Sequence, residues 1–198
     1  MKKIIDQMTE IYVLRMGHRY IRDLRISTHC GLVAWALGAK GILFTGMYDK
    51  EMMKKLRETV ERWGGEFEIG YVENWREYIL EERRRGTYII HLTMYGINIP
   101  TVEKALQKIL RWKRILVIIG AEKMPREVYL LAHLNVAIKN VPHSEVAALS
   151  IFMDRITNGK ALLEYPEHMK IKIIPQIRGK VIERGEPKYI EGDINREV

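Results

Sequence analysis

Cysteine is almost missing from this chain: Cys30 is the single one in 198 residues. One thiol excludes an intramolecular disulfide, and it reads as a reduced, buried side chain of a cytoplasmic protein rather than a nucleophile. No apolar run approaches the roughly 18 residues that a membrane-spanning helix needs, so no membrane partner is expected. The opening MKKIIDQMTEIYVL sets acids inside its apolar stretch and lacks a small-residue cleavage site, unlike a secretory signal. The six histidines (His18, His29, His91, His133, His143, His168) share no metal-ligand spacing with one another or with Cys30, so no metal is expected. No G-x-G-x-x-G follows a candidate strand and no Walker A motif occurs, which leaves dinucleotide and NTP-hydrolysing chemistry without its usual warrant. Internal repeats and low-complexity segments are absent too.

Acids are outnumbered. There are 33 lysines and arginines against 25 aspartates and glutamates, a net charge of +8. An excess of that size suits a polyanionic partner, nucleic acid first. A charged fraction of 29% with only three glutamines points to a thermophile, an origin that explains charge density better than basic sign. The 47% of hydrophobic residues can fill a real core, and the length fits one domain or one domain with a small appendage.

What is present is alternation of strand and helix, which predicts an α/β fold with a largely parallel sheet. Expected strands are Glu10–Met16 (Ile11, Val13 and Leu14 inward), Gly41–Thr45, Phe67–Val72, Thr87–Tyr95, Ile115–Ile119 and His133–Lys139. Expected helices are His29–Leu37 capped by Thr28, Lys50–Trp63 capped by Asp49, Trp75–Arg85 capped by Asn74, and Pro100–Trp112. A short helix begins near Pro125, and a long one capped by Ser144 runs to Ile156. Met52, Met53, Leu56 and Val60 form a packing face. Three loops, after Thr87–Tyr95, after Ile115–Ile119 and before Ser144, leave one edge of the sheet. That edge is where an open α/β sheet takes a nucleotide-like ligand. After Gly159 the segment MKIKIIPQIRGKVIER alternates apolar and basic residues around Arg178-Gly179, a β-hairpin carrying Lys170, Lys172, Arg178 and Lys180 on one surface. From Gly185 onward the polar tail is expected to fray.

The stretch RMGHRYIRDLR holds four arginines (Arg15, Arg19, Arg22, Arg25), His18 and a single acid, Asp23. One carboxylate cannot neutralise them all, so some must face solvent, a partner subunit or an anion; arginine's planar fork suits phosphate. His91 and His133 read as structural. His29 stands out beside the arginines, and His143 within its Pro-His-Ser loop.

Three segments, RDLRISTHCGLVAWALGAKGILF, IIGAEKMPREVYLLAHLNVAI and KNVPHSEVAALSIFMDR, resemble the motifs of the archaeal tRNA ribose 2'-O-methyltransferases that modify the T-loop cytidine at position 56, enzymes of the SPOUT class. Trp35 stands where that family favours arginine. The resemblance implies an α/β domain over residues 1–165 whose segment of about 87–160 forms a deep trefoil knot, with a hairpin extension over 166–198. It implies S-adenosyl-L-methionine as cofactor, tRNA as substrate and a homodimer with the active site near the subunit interface. The cofactor loops would be Leu92–Gly96, Gly120–Met124 and Ile138–Glu145. The contacts expected there are Leu92, Gly120, Ala121, Glu122, Lys123, Met124, Ile138, Lys139, Asn140, Val141, Pro142, His143, Ser144 and Glu145. Arg22 and Arg25 would hold the target phosphate, and His29 would help accept the proton. Other RNA methylation by the same class of enzyme, or RNA binding without catalysis, are the alternatives.

Overall fold

Six short apolar segments become one sheet in the computed structural model, which describes residues 9–120, 123–166 and 168–184. The strands are β1 (Glu10–His18), β2 (Gly41–Gly46), β3 (Glu68–Tyr71), β4 (Tyr88–Asn98), β5 (Arg114–Gly120) and β6 (Leu134–Ala137). They lie in the order β3-β2-β1-β5-β4-β6, and every neighbouring pair is parallel. Between them run α1 (Leu24–Ala36), α2 (Lys50–Trp63), α3 (Trp75–Arg84), α4 (Ile99–Ile109) and α5 (Arg126–Leu131), and α6 (Glu145–Ile156) follows β6. Ile11 and Val13 of β1, with Ile115, Val117 and Ile119 of β5, pack beneath α1, α2, α4 and α6. Their neighbours Leu14, Met16, Leu116 and Ile118 pack on the other side with Ile79 of α3 and Val128 of α5. Both faces are covered, which is why the central strands read as continuous apolar runs.

Local chemistry sets most of the boundaries. Asp49 accepts from the Met52 amide at 2.8 Å and starts α2, and Asn74 accepts from the Glu77 amide at 3.1 Å and starts α3. The methionine face of α2 is buried, as is Cys30. The first helix departs from expectation. It begins at Leu24, one turn earlier than the predicted His29, and Thr28 lies inside it. The Thr28 hydroxyl donates to the Leu24 carbonyl at 2.8 Å, a bond made within a helix rather than at its start. Other ends move too: α4 stops at Ile109 instead of Trp112, β4 runs on through the predicted loop to Asn98, β1 extends to His18 instead of Met16, and β6 stops at Ala137 instead of Lys139.

The C-terminal hairpin forms where expected. Strands β7 (Ile171–Ile174) and β8 (Val181–Arg184) pair antiparallel, and Gly179 takes the left-handed φ of +98° that the turn requires. The hairpin shares no strand pairing with the main sheet. It is anchored instead at the end of α2, where the Lys170 amide donates to the Trp63 carbonyl at 2.7 Å and Lys170 Nζ to the Glu61 carbonyl at 3.0 Å.

Candidate active site at the strand ends

The carboxyl end of β4 is not a regular strand. Leu92 and Ile97 both pair with Val136 of β6, so the intervening residues bulge out of the ladder. Gly96 makes this possible: a Cβ there would lie 2.6 Å from the Asn135 backbone. The loop after β6 is laced to the bulge, with Asn140 Nδ2 donating to the Met94 carbonyl at 2.7 Å and the Gly96 carbonyl at 3.0 Å. The two loops and the end of β5 enclose a cavity of about 390 Å³ at the carboxyl ends of β4, β5 and β6.

Most of the predicted cofactor residues meet here. Leu92, Gly120, Lys123, Met124 and Ile138 line the cavity, as do Pro142, His143, Ser144 and Glu145. Lys139, Asn140 and Val141 do not line it; all three are exposed, and Asn140 works on the bulge as described. Ala121 and Glu122 lie outside the described residues. The space beside Gly120 that a side chain would need is taken by Met124, whose Sδ lies 2.2 Å from an ideal Cβ. Sequence patterns missed the deeper lining: His91, Ile119, Tyr129 and Ala148 among others. His91 and Tyr129 had a signal only in three dimensions, because β4 and α5 bring their rings together edge to face at 4.7 Å.

His91 is half of what was expected of a structural histidine. Asn135 Nδ2 donates to the Tyr129 carbonyl at 2.9 Å, so its Oδ1 accepts from His91 Nδ1–H, also at 2.9 Å. The other ring nitrogen, Nε2, is buried without a partner. Burial holds the imidazole below its ordinary pKa against the pull of Asn135, so it is neutral and offers a bare acceptor. His133 is fully structural: its Nδ1 accepts from the Ile89 amide at 2.9 Å and its ring stacks on Tyr88.

The arginine-rich segment sits next to the cavity, because β1 pairs with β5 through Arg15↔Ile119 and Met16↔Gly120. Its arginines divide sharply. Arg15 is wholly buried and does not face solvent or an external anion. Its Nη2 donates to Glu145 Oε1 at 2.8 Å and lies 3.9 Å from Asp23. Arg19 clasps Asp23 through Nε at 3.0 Å and Nη2 at 3.3 Å. Burial pushes the Asp23 carboxyl up, but Arg19 and Arg15 outweigh it and hold the group below its usual range. Arg22, Arg25 and His29 are exposed and none of them lines the cavity. Because α1 starts early, Arg25 and His29 fall one turn apart on the same helix face. Trp35 turns inward and packs on the core, with its Nε1 buried and unpaired.

Residues 63–183 match the family model described as tRNA ribose 2'-O-methyltransferase, aTrm56. A tRNA (cytidine(56)-2'-O)-methyltransferase of Methanocaldococcus jannaschii is 52% identical over 174 residues, covering 88% of this chain and 96% of that one. The enzyme of the same name from Thermococcus kodakarensis is 45% identical over 173 residues, covering 87% of this chain and 96% of that one. The chain belongs to this tRNA ribose 2'-O-methyltransferase family. The fold agrees with solved structures of SpoU type. The A. aeolicus TrmH/SpoU tRNA modifying enzyme superposes with a TM-score of 0.56 at 16% identity, covering 82% of this chain and 84% of that one. The SpoU methyltransferase AviRb of Streptomyces viridochromogenes, in complex with the cofactor AdoMet, gives 0.53 at 17% identity, covering 76% and 58%. The family match takes in every residue that lines the cavity and begins after α1.

Proposed function

We propose that the protein transfers a methyl group from S-adenosyl-L-methionine to the ribose 2'-hydroxyl of cytidine 56 in the tRNA T loop. The observation that carries this is the junction of family membership with a ligand-sized cavity at the carboxyl ends of β4, β5 and β6, next to an arginine-rich segment. The residues present suit the cofactor. Leu92, Val136 and Ile138 give apolar walls, His91 Nε2 is a buried acceptor in need of a donor, and Glu145 adds a carboxylate. This mix of apolar lining and a few fixed polar groups is that of a small-molecule site. When bound, the cofactor supplies the electrophilic methyl.

The protein must then hold the ribose in line and take up one proton. Arg22 and Arg25 hold the phosphate of the target nucleotide. Arginine stays protonated and cannot be the base, so His29, one turn from Arg25, accepts the 2'-hydroxyl proton together with the phosphate. Since these side chains lie outside the cavity, the site is completed across a homodimer. Exposed apolar residues support this: Ile21, Leu24 and Ile26 at and before the start of α1, and Ile151 on α6, the helix packed against it. We further assign residues 1–165 to the methyltransferase domain, with a trefoil knot over about 87–160, and 166–198 to an appended hairpin and tail. A cytoplasmic location follows from the tRNA substrate; no helix among the described residues is long and apolar enough to cross a membrane.

Transcribed tRNA incubated with methyl-labelled S-adenosylmethionine, followed by nucleoside mapping, tests the activity. A 2'-O-methyl group on cytidine 56 is expected. A methyl elsewhere would mean another RNA methylation by the same class of enzyme, and tRNA binding without transfer would mean a binding protein.

A further inference from the structure

We infer that Arg15 is a positioning residue for methyl transfer: one buried guanidinium joins the wall of the cofactor cavity to the head of the helix that carries Arg25 and His29. The inference rests on the cofactor reading of the cavity given above. Arg15 alternates with Leu14 and Met16 on β1, so it points to the side of the sheet where α1 and α6 pack. There its Nη2 meets Glu145, the first residue of α6 and part of the cavity wall, at 2.8 Å. The same nitrogen lies 3.9 Å from Asp23, which stands immediately before α1. Asp23 in turn is bound by the backbone amide of Arg19 at 3.1 Å as well as by its guanidinium. That fixes the turn from which Arg22 projects and the axis along which Arg25 and His29 are set.

Stability does not explain this arrangement. The Arg15 side chain is 0% exposed, and its Nε and Nη1 have no hydrogen-bond partner. An arginine stripped of water and left partly unpaired is costly, and apolar side chains of similar volume commonly replace such pairs without loss of stability. What they cannot do is hold two carboxylates, one on each side of the site, at fixed separations.

The test compares Arg15→Lys, Asp23→Asn and the double variant Arg15→Met/Glu145→Leu with the wild-type protein. Melting temperature, S-adenosylhomocysteine affinity by calorimetry, tRNA affinity and the single-turnover methylation rate are measured for each. Asp23 does not line the cavity, so its variant separates a strut from a direct cofactor contact. We expect the double variant to melt at or above the wild-type temperature and to bind tRNA within about threefold, yet to transfer methyl at least about tenfold more slowly. Asp23→Asn should show the same rate loss with unchanged S-adenosylhomocysteine affinity, and Arg15→Lys should recover part of the rate. A double variant that is stable and transfers at the wild-type rate would overturn the inference, as would rate losses that simply follow melting temperature. Wild-type protein that fails to bind S-adenosylhomocysteine would sink the cofactor reading and this inference together; wild-type binding with unaffected variants would sink this inference alone.

Discussion

Two helix starts flank the site, and they are built in opposite ways. At α6 the Ser144 side chain accepts from the Val146 amide at 3.2 Å, so the residue that local sequence nominates does the local task. At α1 the residue in the cap position is Asp23, among the best capping types, yet it makes no side-chain cap bond. Its carboxylate is turned to Arg19 and lies near Arg15. A capping group diverted from its own helix marks a place where the fold gives up local stabilisation to fix distant charges. The cavity side of the site is therefore a matter of backbone path and local signals. The arginine side, taken in the proposed function as the RNA side, is a matter of charge pairing that reaches as far as Glu145.

That contrast sets the size of the expected effects. Arg25→Ala, and separately Arg22→Ala, should lower the methyl-transfer rate on the order of 100-fold, the scale of losing one positioning contact at a reacting centre. S-adenosylhomocysteine affinity should stay within about threefold in both, because neither residue lines the cavity; loss of cofactor binding would erase the division between the two sides. Gly96→Ala attacks the other side. The added methyl would sit 2.6 Å from the Asn135 backbone, which cannot move as a side-chain tip would, at a cost of about 1–3 kcal/mol. The bulge should shift and cofactor affinity should fall with it, by roughly tenfold as measured by calorimetry. Unchanged affinity would mean that the bulge does not shape the cavity.

A separate quantity, affinity rather than rate, is the salt dependence of tRNA binding. Several Lys or Arg contacts with phosphate release counterions, so affinity should drop by about 10³-fold or more between 50 and 200 mM salt if six or so contacts form. This acts on binding rather than chemistry. The slope should fall by about one for each of Arg22 and Arg25 removed. A flat response would take nucleic-acid charge out of the account of the RNA side.

How far the sequence could be followed divides along the same line. The helix start at Ser144 and that at Asp49 were legible because cap and amide sit two or three residues apart in the chain. The strands expected at Ile115–Ile119 and Thr87–Tyr95 were legible, the first because both faces of the sheet are covered. The true start of α1 was not, since what decides it is Asp23 engaging Arg19 while α1 packs against α6. Thr28 looked like the cap because nothing in its neighbourhood reveals that it lies one turn inside. Arg15 was read among solvent-facing arginines, although its partner Glu145 is 130 residues away. His91 was half-legible: a strand histidine is usually satisfied, and only the folded chain leaves its Nε2 buried without a partner. That most of the predicted cofactor residues line the cavity followed from motif resemblance and would not have followed from periodicity.

The smallest effect concerns protons. Burial lowers the pKa of His18, against Asp49, and of His91, against Asn135, from an ordinary 6.5. A histidine with a depressed folded pKa contributes nothing to pH dependence well above 6.5, where both folded and unfolded forms are neutral. As pH falls below that value the unfolded chain binds protons that the folded one refuses, so stability declines. Glu145 has the opposite bias: burial raises its carboxyl despite Arg15, so its protonation on the way down favours the fold. Asp23, held low by its arginines over the pull of burial, adds stability that is lost only as pH falls below the ordinary carboxylate value. The melting temperature should therefore decline between pH 7 and pH 5, as these two histidines and His133, whose pKa burial also lowers, titrate in the unfolded chain. His91→Phe should flatten that decline while leaving tRNA affinity alone, whereas a decline left unchanged by it would mean that the histidine on the cavity side carries none of the linkage.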